Sequence, residues 1–122
     1  MSKLQVLIST MNQKDYSLCS KMNINSDAIV INQSDFVDYH KYNHNGFNVD
    51  FYTFRERGLS RSRNEALLRS SADIICIADD DMIYTDTYRE DILNEFNKHP
   101  EADALAFNVE SVNVRNLTSI KK

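Results

Sequence analysis

Three short apolar runs constrain this fold more than any other feature. They are "LQVLIST" (4–10), "DAIVINQ" (27–33) and "DIICIA" (73–78), each rich in β-branched residues. Runs of this length are too short for stable helices and read as strands. They are apolar at consecutive positions, so both of their faces must be buried. That is the signature of a parallel sheet covered on two sides. A fourth segment, "NVDFYTF" (48–54), alternates Val49, Phe51 and Thr53 against Asp50, Tyr52 and Phe54, and reads as a further strand.

The intervening segments supply the covering layers. "LSRSRNEALLRSS" (59–71) has a helical stripe of Leu59, Ser62, Arg63, Ala66, Leu67 and Ser70. "DTYREDILNEFNKH" (86–99) has an apolar face of Ile92, Leu93 and Phe96. Thr87 followed by Glu90 fits a capping box, and Pro100 follows the end. "YSLCSKM" (16–22) reads as a short helix, and "ADALAFNVE" (102–110) as a fifth strand. The polar, aromatic stretch 34–46 is expected to be irregular, with a turn at Asn45-Gly46. The tail from 111 shows no strong period. Strands alternating with helices predict an α/β fold, a mainly parallel twisted sheet flanked by helices.

The length of 122 residues predicts one domain. Hydrophobic residues make up 42% and charged residues 26%, enough apolar material for a packed core. The net charge of -4 argues against a nucleic-acid partner, which would need a basic face. Cys19 and Cys76 form no CxxC pair, so neither a zinc site nor a disulfide framework is expected. Neither a signal peptide nor a membrane span is apparent. The expected compartment is the cytoplasm, with peripheral attachment to a membrane left open.

The apolar run Ile74–Ala78 ends in three adjacent carboxylates, Asp79, Asp80 and Asp81. Packed acids repel one another unless they are solvated or hold a cation. In open α/β sheets, ligands bind beyond the carboxyl ends of the strands, and this triplet falls there. In an extended segment Asp79 and Asp81 would point to one side. Two hard carboxylates with coordination positions left over suit Mg²⁺ or Mn²⁺ bound with a phosphate. The competing reading is a solvated acidic turn.

"RERGLSRSRN" (55–64) places Arg55, Arg57, Arg61 and Arg63 around a helix start, and both features favour anions. Gly58 is expected to supply a backbone angle that other residues resist. Arg63 shares the stripe of Leu59, Ala66 and Leu67. It serves either an anion or a carboxylate at the domain edge. Acid and arginine together suggest a metal–diphosphate ligand.

These residues resemble family 2 glycosyltransferases of the GT-A fold. "LQVLISTMN" is similar to that family's opening strand and its Thr-x-Asn turn, here Thr10-Met11-Asn12, with Ser9 in place of the common proline. "RGLSRSRNEALLRSSADIICIADDDM" is similar to the stretch from a glycine-led helix with an Arg-Asn pair, Arg63-Asn64, to a DxD motif, Asp79-Asp80-Asp81. The resemblance implies a Rossmann-like, nucleotide-binding half with a divalent metal, Mn²⁺ or Mg²⁺, on Asp79 and Asp81. It implies nucleotide contacts at Thr10, Asn12, Asp35, Arg63, Asp79 and Asp80. Of these, Asp35 matches the family pattern only loosely. The implied donor is a nucleotide-diphosphate sugar, a UDP-sugar first among them. The acceptor is a carbohydrate or other hydroxyl.

Inverting transfer also needs a carboxylate base to deprotonate the acceptor. The family carries it in the second half of the domain, so no catalytic residue is assigned here, Glu110 included. The chain is expected to be a donor-binding portion, incomplete at its C-terminus, that self-associates or uses a partner. Two other functions are compatible with the same residues. One is a non-catalytic nucleotide-sugar binding or assembly module. The other is a nucleotidyltransferase, against which "STMNQKD" lacks a glycine-rich phosphate loop.

Overall fold

The computed structural model describes residues 3–99, together with the backbone of strands at 104–110 and 113–120. Strands β1 (Leu4–Met11), β2 (Asp27–Gln33), β3 (Asp38–His44), β4 (Phe47–Phe54) and β5 (Ile74–Asp79) form one sheet in the order β3-β4-β2-β1-β5. Helix α1 (Leu18–Lys21) links β1 to β2, α2 (Leu59–Arg69) links β4 to β5, and α3 (Tyr88–Lys98) follows β5. The pairs β1–β2, β1–β5 and β2–β4 are parallel. The α/β class and the mainly parallel sheet follow the sequence expectation.

Both faces of the central strands are buried, as their unbroken apolar runs demand. On one face Val6, Ile8 and Val30 pack with Leu18 and Cys19 of α1 and with Tyr88 and Ile92 of α3. On the other, Leu7, Ile29 and Ile31 meet Ala66 of α2. Each such buried aliphatic side chain contributes roughly 1.5–3 kcal/mol before chain entropy is counted. On α2, Ser62 and Ala66 are buried, whereas Leu59 and Leu67 are about half exposed, so the stripe that touches the sheet is narrower than expected. Small side chains let the helix sit close: the Ser62 hydroxyl donates to Ser9 Oγ at 2.8 Å.

Several expectations need correction. The stretch read as irregular contains β3, paired antiparallel with β4. Its residues are mostly exposed or half-buried, so no apolar run advertises it. The turn itself was legible: Asn45 and Gly46 both have positive φ, 51° and 88°, as a two-residue hairpin turn requires. Helix α1 is a single turn. Thr87 caps α3 without a side-chain bond to the backbone; its hydroxyl donates instead to Asp91 at 3.1 Å, so no capping box forms.

The fifth expected strand is β6 (Ala104–Glu110). It pairs antiparallel with β7 (Asn113–Ile120), within the tail where no period was apparent, in a separate two-stranded sheet. Residues 102–103, Pro100 and the two terminal lysines lie outside the described residues, as does the Glu110 side chain.

Candidate functional site

Parallel pairing decides where the site lies. β1 and β2 end together, with Met11 opposite Gln33, and β5 stops just short of them, with Asp79 opposite Ser9. Beyond these ends is a cleft of about 370 Å³. One wall is the start of α2, with Gly58, Leu59 and Ser62. The other is the acidic turn, Asp79, Asp80 and Asp81. Ser9, Thr10, Met11 and Gln33 line the rest.

The helix wall is built by one glycine. Gly58 is the N-cap of α2, with φ 109° and ψ 134° and no side-chain cap. A Cβ at this position would meet nothing within 4 Å, so the backbone angle, not space, calls for glycine. The amide of Gln33 donates to the Gly58 carbonyl at 2.9 Å and fixes where the helix begins. A helix start without a side-chain cap offers N–H groups and the positive end of a dipole to an anion.

The acidic wall does not stay extended. β5 ends at Asp79, and Asp80 and Asp81 form a turn, in which the Met82 N–H reaches the Asp79 carbonyl at 3.4 Å. Strand alternation therefore does not carry through to Asp81, and the premise of an extended triplet fails. The three acids still line one cleft. Asp79 pairs with Arg63 at 3.5 Å, with both side chains about two-fifths exposed. Asp80 accepts from the Thr10 hydroxyl at 2.7 Å.

The cleft thus gathers Thr10, Asp79, Asp80 and Asp81. Arg63 lies on α2 behind the cleft wall and reaches the site through Asp79. Its Nε is buried without a hydrogen-bond partner. Asn12 is exposed beside the cleft, with φ 55°, and its N–H donates to the Gln33 carbonyl. Asp35 is exposed and is not among the cleft residues; its carbonyl accepts from Arg55. Arg57 holds the Ser34 carbonyl at 2.7 Å, so these two arginines brace the loop after β2.

Sequence reasoning missed Gln13, Asn32 and Gln33, polar residues that hold the cleft together. Their only sequence signal is a polar residue at the end of an apolar strand.

The donor atoms on the acidic wall are all oxygens, which fits a hard divalent cation. Among the described residues, no group of three or more His, Cys, Asp or Glu side chains is placed to hold a metal. Any cation here would rest on the carboxylates of the turn plus ligand or water, and would compete with Arg63 for Asp79. Cys76 is no candidate ligand: burial pushes its thiol up, and it lies toward Tyr84 at 3.8 Å.

The model of the family described as "Glycosyl transferase family 2" matches residues 17–120. The chain belongs to this family. The match takes in α2 with its Arg63 and the acidic turn, whereas β1 and its Thr-x-Asn turn precede it. No curated protein and no solved structure matches the chain. Family 2 membership carries the coarse function, a glycosyltransferase domain whose substrates are a nucleotide-sugar donor and an acceptor. The five-stranded, mostly parallel sheet of this family 2 chain is consistent with a GT-A, Rossmann-like half. Among its described residues no helix is long and apolar enough to cross a membrane.

Proposed function

We propose that the chain binds the diphosphate of a nucleotide-sugar donor together with Mn²⁺ or Mg²⁺, as the donor-binding portion of an inverting glycosyltransferase. The supporting observation is the meeting of two elements in one cleft: a helix start without a side-chain cap and a turn of three carboxylates both line it. A diphosphate needs positive dipoles or arginine, and its metal needs carboxylates, so a metal–diphosphate ligand fits between them.

Asp79 and Asp81 would hold the metal, and Asp80 the nucleotide. The bound metal would stabilise the charge that grows on the departing nucleoside diphosphate. Arg63, released from Asp79 when a cation takes its place, would turn to the diphosphate. Thr10 serves through Asp80, because its single hydroxyl proton is already given to that carboxylate. Asn12 and Asp35, at the loop ends, would meet the nucleoside.

Calorimetric titration with UDP, with and without Mn²⁺ and with GDP for comparison, tests the reading. Metal-dependent binding is expected; a folded chain that binds neither nucleotide would overturn it.

One observation favours a second reading for the chain alone. Asp79, Asp80 and Asp81 are the carboxylates that line the cleft, and with all three assigned to donor and metal none there is left as general base. A non-catalytic nucleotide-sugar module has this composition. Donor hydrolysis or sugar transfer to an acceptor by the purified chain would remove it.

A further inference from the structure

We propose that Gln13 is a positioning residue for the acidic turn: it directs the Thr10 proton onto Asp80, and Asn32 holds Gln13 in place. This rests on the metal–nucleotide reading of the cleft. A hydroxyl has one proton to give and two lone pairs to receive with, while an ionised carboxylate only accepts. Thr10 Oγ1 lies 2.7 Å from Asp80 Oδ2 and 3.0 Å from Gln13 Nε2. The proton must go to Asp80, so the Gln13 amide must be the donor to Thr10. A hydroxyl that receives a bond while giving one is polarised into a stronger donor.

Gln13 is itself clamped. Asn32 is fully buried, with 0% of its surface exposed. Its Oδ1 accepts from the Gln13 N–H at 2.9 Å. Its Nδ2 donates to the Gln13 carbonyl at 3.0 Å and to Thr53 Oγ1 at 3.2 Å. One buried amide thus clasps both backbone groups of Gln13 and ties them to β4. The result is a continuous relay, Thr53–Asn32–Gln13–Thr10–Asp80, from inside the sheet to the carboxylate. With Oδ2 of Asp80 tied, Oδ1 is the oxygen left to accept from a ligand, and its direction is set. Gln13, Asn32 and Thr53 do not line the cleft; Thr10 and Asp80 do.

The test is a double-mutant cycle in the full chain, read by calorimetric titration with UDP in the presence of Mn²⁺. Gln13→Met keeps length and loses the donor, at a half-buried position. It is expected to weaken UDP about three- to tenfold, the scale of one hydrogen bond. Thr10→Val should weaken it at least as much, and Gln13→Met should then add nothing. Asp80→Ala, at an exposed turn position, gives a second background with the same expectation if Thr10→Val folds poorly.

A Gln13→Met chain that binds like the wild type overturns the inference. So does an equal loss in all backgrounds, particularly with a lowered denaturation midpoint, since that marks a merely structural role. A wild-type chain without Mn²⁺-dependent UDP binding overturns the underlying reading, and the inference with it.

Discussion

Asp79 meets Arg63 in a pair that is open to solvent, and a pair of this kind contributes only about 0–1 kcal/mol to stability. Arg63 can therefore leave Asp79 at small cost, and its value lies in what else it can bind. Arg63→Ala is expected to weaken binding of UDP by about tenfold while leaving uridine nearly unchanged, with little shift in the denaturation midpoint. Equal loss for both ligands in titration would assign it a structural role. Asp81→Asn removes one ligand charge from an exposed turn and eases repulsion there. It should abolish Mn²⁺-dependent nucleotide binding with the fold intact by circular dichroism; unchanged affinity would take the metal off the triplet. At this scale the sequence made the charged residues legible, because three acids after an apolar strand and an arginine on a helix stripe both need explaining. The neutral relay was not legible. Gln13 and Asn32 act through partners brought together by β1, β2 and β4, and locally they are marked only as polar residues where an apolar strand ends.

Helix α2 owes its starting point to Gly58, whose φ of 109° is a conformation that L-residues resist although the space around it is open. Gly58→Ala is expected to cost about 1–3 kcal/mol through backbone strain alone. If the helix start also receives the diphosphate, nucleotide affinity should fall beyond what the loss of stability explains. Thermal unfolding and titration on one sample separate the two effects. Elements buried on both faces could be read almost to the residue: β2 was expected at 27–33 and is found there. Elements with one dry neighbour could not. β3 is polar because its side chains are exposed or half-buried on the sheet faces, and a strand needs apolar residues only where a face is covered. The narrow stripe on α2 has the same cause, since Ser62 and Ala66 are the only residues of the helix buried against the sheet.

For the whole molecule, the buried tyrosines set an alkaline limit. Burial pushes Tyr88 up to about 12 and raises Tyr84 as well. A tyrosine whose folded pKa lies above its ordinary value near 10 contributes stability in full below pH 10. That contribution is lost as pH rises through the folded value. The urea midpoint should therefore fall between about pH 10 and 12. Tyr88→Phe should lower stability at neutral pH by about 1–3 kcal/mol, because the Asn25 N–H and the Ser26 hydroxyl lose their partner. The same variant should flatten the alkaline fall. A slope unchanged by Tyr88→Phe would place the titration elsewhere.

The strand order carries a consequence for how ligand binding can be observed. β1 has a neighbour on each side, whereas among the described residues β5 has β1 alone within its sheet. Thr10 therefore hangs from a strand whose amides should exchange with deuterium slowly, and the carboxylates from one whose outer amides should exchange fast. The cleft joins a stiff wall to a loosely held one. A ligand bridging them has little to add to β1 and much to add to β5. Slowed deuterium uptake in residues 74–79 would then report occupancy of the cleft without any label on the ligand.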